Sequence, residues 1–142
     1  GLGCPVGSVL IGSREQIHEA LRIRKVFGGG MRQAGYLAAA GSYALKHHRK
    51  DLSLDHKRAK EIAEVLENCS FVHEIQPVTT NIIIFSLKSD YDEVQFVQEL
   101  KEKQILIIGL GKGKLRMVTH RDYTQEHHTY LLTTLSKMEV YA

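Results

Sequence analysis

Tryptophan is absent from this 142-residue chain, and proline and cysteine occur only twice each. The two cysteines, Cys4 and Cys69, form no CxxC pair and have no metal-ligand spacing. A disulfide framework and a zinc ribbon are thereby excluded, and a reducing cytoplasm suits the chain. Long apolar runs are missing too. None approaches the roughly 20 residues that cross a bilayer, and no basic segment leads into an apolar stretch as in a secretory signal. Aromatic residues make up 7% of the chain, six Tyr and four Phe spread thinly, so no stacking platform for nucleic acid is visible. The net charge is +3, but the 19 basic residues are interleaved with 16 acidic ones. Without a basic stripe, neither nucleic acid nor a membrane is an expected partner. What is present, 43% hydrophobic and 25% charged residues, is the composition of a globular protein. Its length allows one compact domain or two small pieces.

Val6–Ile11 is a short apolar run between glycines and reads as a buried strand. Ser13 with Gln16 has the form of a capping box, and a helix is expected over Arg14–Val26. Gly28-Gly29-Gly30 should end it, because glycine is entropically expensive inside a helix. A second helix, rich in Ala and Gly, is expected over Met31–His48, with a domain boundary in Asp51–Asp55. A third helix follows to Asn68, with Ala59, Ile62, Ala63 and Leu66 on one face. Beyond it, strands are predicted at Phe71–Val78, Asn81–Leu87, Ile105–Ile108 and Lys114–Thr119. One helix is predicted to start at Asp90 or Glu93, another at Asp122 with Gln125. The order ββαββα predicts a small α+β layer with a mainly antiparallel sheet. The first fifty residues read as one strand and two helices from a larger α/β layer.

Three segments could carry chemistry. Gly1-Leu-Gly-Cys-Pro-Val-Gly-Ser8 forces an irregular backbone, or is an ordinary turn. Its start without Met, running straight into a strand, suggests a segment of a longer polypeptide. In Arg24-Lys25-Val-Phe-Gly-Gly-Gly-Met-Arg32, a glycine-rich loop leads into a helix start with cations on both sides. Exposed N–H groups there can receive a phosphate, with Lys25 and Arg32 adding full charges, or the loop is a solvated helix end. The third is Lys112–Asp122. Strand alternation puts Arg116, Val118 and His120 on one face and Leu115, Met117 and Thr119 on the other. An arginine on an apolar strand needs an anion, either an internal carboxylate or a small carboxylate ligand held by both guanidinium arms. Gly109-Leu-Gly-Lys-Gly113 lacks the spacing of a nucleotide loop and reads as a hairpin turn.

In this order and separation, Gly1-Leu-Gly-x-Pro-Val-Gly-Ser8, Arg24-Lys25, Gly28-Gly-Gly-Met-Arg-Gln-x-Gly35 and Arg116-x-Val-Thr-His-x-Asp122 resemble the threonine aldolases. Asp55-His56 and Thr80-Asn81 extend the likeness over essentially the whole chain. The resemblance implies an α/β fold of the aspartate-aminotransferase-like (fold type I) class of pyridoxal phosphate (PLP) enzymes. Residues 1–50 would be the end of the large PLP-binding domain, and 51–142 the small C-terminal domain. The implied activity is cleavage of threonine or allo-threonine to glycine and acetaldehyde, by a cytoplasmic homo-oligomer built as a dimer of dimers. In that family the lysine that forms the Schiff base with PLP stands immediately before the Gly-Leu-Gly string, just ahead of Gly1 here. The chain is therefore expected to be the C-terminal part of the enzyme, without a catalytic lysine of its own. By the same resemblance Arg116 binds the substrate's α-carboxylate. Arg32 lies near the PLP phosphate of a neighbouring subunit, and Lys25 stands close to the same cofactor site. Arg121 stands where many relatives carry an apolar residue. The alternatives are another fold-type-I PLP enzyme (a β-eliminating lyase or an aminotransferase) and a small basic anion-binding module.

Overall fold

The computed structural model describes residues 1–138, so the last four residues of the expected small domain lie outside it. The chain divides into two compact units, one of Gly3–Arg49 and one from Lys50 on together with Gly1–Leu2.

In the Gly3–Arg49 unit, helix α1 spans Arg14–Val26 as predicted. Ser13 Oγ accepts the Gln16 N–H at 3.3 Å and Gln16 Oε1 accepts the Ser13 N–H at 2.8 Å, closing the capping box. At the other end Gly28 takes φ +80°, and the Gly29 N–H donates to the Arg24 carbonyl at 2.8 Å while Gly28 N–H donates to Lys25 O at 3.0 Å. This is a Schellman ending, which a left-handed glycine makes possible. A Cβ on Gly29 would also stand 2.7 Å from Arg24 Cγ. Helix α2 spans Gly35–His47 and starts later than Met31. Gln33, at φ +52°, is left-handed and cannot continue a right-handed helix, so Arg32–Ala34 form a turn instead. Val6–Ile11 does not form a strand. The segment is irregular and exposed, Val9 at 85% and Ile11 at 89%. Extended backbone is stabilised by a hydrogen-bonded neighbour, and no strand of this unit offers an edge.

A 3-10 turn, Arg49–Asp51, leads into the second unit, whose first helix, α3, spans Leu52–Glu67. Then come β1 (Val72–Ile75), β2 (Ile82–Leu87), α4 (Glu93–Glu102), β3 (Ile108–Gly111), β4 (Lys114–Val118) and α5 (Gln125–Lys137). This is the predicted ββαββα order. The strands form one antiparallel sheet in the order β1-β2-β4-β3. Alternation turns Ile83, Phe85, Leu87, Leu115 and Met117 onto one face, where they pack with Ile62 and Leu66 of α3, Phe96 and Leu100 of α4, and Leu131 and Leu135 of α5. Burying each such side chain stabilises the fold by roughly 1.5–3 kcal/mol. Among the described residues no helix is long and apolar enough to cross a membrane.

Several predicted boundaries move, each for a local reason. β1 stops at Ile75, shortly before Pro77, which has no N–H for the ladder. Asp92, not Asp90, caps α4, its Oδ1 accepting the Gln95 N–H at 2.8 Å. Thr124, not Asp122, caps α5 through a box with His127. The third strand lies at Ile108–Gly111, because the left-handed Gln104 (φ +60°) and the Ile105 N–H bond to Leu100 O hold the chain against the end of α4. The glycine run is thus half strand. The turn itself is Lys112-Gly113, at φ +56° and +72°, as a two-residue type I′ hairpin requires.

Candidate functional site

Arg116 sits in the middle of β4, an inner strand of the sheet, on the face turned away from the helices. Its cross-strand neighbours are Ile84 on β2 and Ile108 on β3, and Ile82 and Val118 flank them on the same face. The guanidinium is half-buried, and its Nε is buried without a hydrogen-bond partner. None of the ion pairs among the described residues involves it. Among the described residues no internal Asp or Glu takes up this charge. An arginine walled by isoleucines, with an orphaned buried N–H, is matched by a planar carboxylate that takes two of its donors.

The edge strand beside Arg116 is tied down by Glu93 at the start of α4. Glu93 Oε1 accepts the Gly111 N–H at 3.0 Å and Oε2 accepts the Gly113 N–H at 2.8 Å. Sequence reading saw in Glu93 only a helix start.

Past the end of β4, Thr119 is buried, its N–H donating to Asn81 O at 3.0 Å and its Oγ1 to Asp55 O at 2.8 Å. Asn81 Nδ2 returns a bond to Thr119 O at 2.7 Å. Residues of the Thr-His string, of Asp55-His56 and of Thr80-Asn81 thus meet in one knot. Arg121 forms an exposed ion pair with Asp51. His120 is exposed, and its Nδ1 accepts the Asp122 N–H at 3.2 Å.

Deeper in the unit lies a polar network with no signature in the sequence. Arg58 of α3, 7% exposed, donates from Nη1 to Tyr123 O and from Nη2 to Gln125 Oε1 at 3.3 Å. Its guanidinium carbon lies 5.7 Å from the centre of the Tyr123 ring. The Tyr123 hydroxyl meets His128 Nδ1 at 3.1 Å, and His128 Nε2 meets Glu61 Oε2 at 2.8 Å. Tyr123, Thr119, His120, His127 and Tyr130 also line a cavity of about 360 Å³ walled by Ile62, Ile105, Met117 and Leu131.

Burial pushes the Tyr123 hydroxyl from its usual 10.0 up to about 12, against the opposing pull of the Arg58 charge. The folded chain thus holds this proton more tightly than the unfolded chain does. Its contribution to stability is fully present below pH 10 and is lost as pH rises through about 12. Absorbance titration should accordingly show Tyr123 ionising late, and Tyr123→Phe should delete that late step. A variant whose late step persists would place the shift on another tyrosine.

The glycine-rich loop belongs to the other unit. Lys25, in the last turn of α1, reaches over it, its Nζ 3.2 Å from where a Cβ on Gly30 would stand. Arg32 is exposed in the turn that precedes α2, and the N-terminus of α2 has no side-chain cap. The start of a helix with a cation in the turn before it is an arrangement that suits an anion. Of the predicted site residues, Lys25 and Arg32 thus share one unit, and Arg116 stands in the other.

Solved structures with the same fold are enzymes of the PLP-dependent fold-type-I class. A decarboxylase from Sulfurospirillum multivorans covers 86% of this chain, which covers 36% of it, at 17% identity and TM-score 0.58. The cystine C-S lyase C-DES, in complex with cysteine persulfide, covers 73% of this chain and is covered to 28%, at 20% identity and TM-score 0.57. Ornithine aminotransferase from Toxoplasma gondii covers 71% and is covered to 25%, at 20% identity and TM-score 0.58. Residues 1–90 match the family model described as Beta-eliminating lyase, and the chain belongs to that family. Among curated relatives, Low-specificity L-threonine aldolase 1 of Arabidopsis thaliana is 38% identical over 136 residues, which are 94% of this chain and 38% of the relative. The Low specificity L-threonine aldolase of Escherichia coli (strain K12) is 40% identical over 126 residues, 89% of this chain and 36% of the relative. The chain thus spans well under half the length of these relatives.

Proposed function

We propose that the protein acts as a PLP-dependent lyase that breaks the Cα–Cβ bond of threonine or allo-threonine, releasing glycine and acetaldehyde. The observation that carries this reading is Arg116, a guanidinium with an orphaned buried Nε on an apolar sheet face. In it Arg116 holds the α-carboxylate of the amino acid. PLP, when bound, supplies the electron sink for the cleavage. Two hydrogen bonds to one carboxylate remove a rotation of the substrate and so help set which bond at Cα is broken.

On this reading residues 1–50 belong to the large cofactor-binding domain and 51–142 to the small one. Lys25 and Arg32 stand by the cofactor phosphate, Arg32 by that of a neighbouring subunit. The protein then works as a cytoplasmic homo-oligomer, a dimer of dimers; its free cysteines, Cys4 and Cys69, are in keeping with a reducing compartment. Arg32→Ala should weaken PLP retention about tenfold, the worth of one charge-assisted contact, while changing kcat less. Equilibrium dialysis of PLP against the full-length variant measures this, and unchanged affinity would remove Arg32 from the phosphate site.

The reaction itself is tested by incubating the full-length protein with PLP and L-threonine and identifying the products. Glycine and acetaldehyde are expected. The family description and the C-S lyase and aminotransferase neighbours favour a second reading, elimination or transamination. Ammonia with a 2-oxo acid, in place of glycine, would establish elimination; a 2-oxo acid without ammonia, the amino group passing to an added 2-oxo acid acceptor, would establish transamination.

A further inference from the structure

We infer that Glu93 is a positioning residue for Arg116, acting through the edge strand β3; this rests on reading Arg116 as the carboxylate-binding residue. β3 is four residues long, exposed throughout, and paired with β4 on one side only. Two of its residues are Gly109 and Gly111, and its register slips between them. Glycines add no packing to a strand, and an edge has no second neighbour to hold it. Yet this strand carries Ile108, which stands opposite Arg116 and walls it on one side as Ile84 does on the other. Cross-strand partners on one face are close enough to restrict each other's rotamers.

Glu93 supplies the restraint that β3 lacks. Gly111, Lys112 and Gly113 are all left-handed, at φ +85°, +56° and +72°. Consecutive positive φ values turn backbone N–H groups toward one side, a concavity suited to an anion. The Glu93 carboxylate occupies it, one oxygen on Gly111 and the other on Gly113. It also accounts for glycine at 109, where a Cβ would collide with Glu93 Oε1. With β3 held to α4, Ile108 stays against the stem of Arg116, and less side-chain freedom is lost when a carboxylate binds. Glu93 itself touches neither substrate nor cofactor, so its effect falls on substrate affinity.

The test uses the full-length enzyme loaded with PLP. Only one of the two terminal atoms of a carboxamide is an acceptor, and its NH2 would meet the second backbone N–H donor to donor, so Glu93→Gln breaks the clamp. It should raise KM for L-threonine about tenfold, with kcat within about twofold and PLP affinity unchanged. Calorimetric titration with glycine, which needs no turnover, should show the same weakening. Combined with Arg116→Ala, Glu93→Gln should add nothing, because the positioned group is gone. Additive effects, or an unchanged KM in Glu93→Gln where Arg116→Ala raises it, would overturn the inference and leave the Arg116 reading intact. If Arg116→Ala leaves KM and glycine affinity as they were, that reading fails and the inference with it. Should Glu93→Gln not fold, Glu93→Asp keeps the charge with a shorter reach. It must show the same rise in KM at constant kcat, or the inference fails.

Discussion

Arg116→Ala is expected to lower kcat/KM for L-threonine by about a hundredfold or more, the few kcal/mol of a bidentate charge-assisted pair. The side chain lies between Ile84 and Ile108, and no carboxylate among the described residues pairs with it, which leaves its donors open to a ligand. Arg116→Lys should recover little. A single ammonium cannot offer the planar pair of donors that a carboxylate takes from a guanidinium. PLP affinity should stay nearly constant in both variants, which separates this position from Arg32. Steady-state kinetics with parallel PLP titrations decide the matter. Near-normal kcat/KM in Arg116→Ala would remove the arginine from substrate binding.

A large loss of stability is expected at Arg58. Its guanidinium joins α3 to the turn before α5 through Tyr123 O and Gln125 Oε1 and lies over the Tyr123 ring, and the residue is buried. Hydrogen bonds to a charged group contribute about 1.5–3 kcal/mol each, so Arg58→Ala should destabilise the fold by about 3 kcal/mol. The thermal midpoint should then fall by about 6–12 °C, readable by calorimetry or circular dichroism. A fall below about 3 °C would mean that the orphaned Arg58 Nε offsets most of what the other bonds contribute.

Much of the fold is legible in the sequence because its signals are local. Ser13 and Gln16 are three residues apart and close their box within one turn, and Gly28 ends α1 by its own φ. The alternation of Leu115, Arg116 and Met117 needs only the pleat to separate the core face from the Arg116 face. Where two caps compete locally, the chain decides by geometry that the letters do not carry. Thr124 with His127 takes the place read for Asp122, and Asp92 that read for Asp90.

The candidate site divides the same way. By itself the sequence determined that Arg116 is a charge on an apolar strand, that Lys25 and Arg32 flank a glycine loop, and that ββαββα makes one antiparallel sheet. Those are properties of spacing and residue type. Only the tertiary structure decided that no carboxylate among the described residues claims Arg116, that Glu93 grips the hairpin from 18 and 20 residues away, and that Arg58, Tyr123, His128 and Glu61 form one network. It also decided that Val6–Ile11 stays irregular in this unit, since a strand exists only where another backbone can pair with it. Pairing of this kind joins groups far apart in the chain, and no periodicity records it.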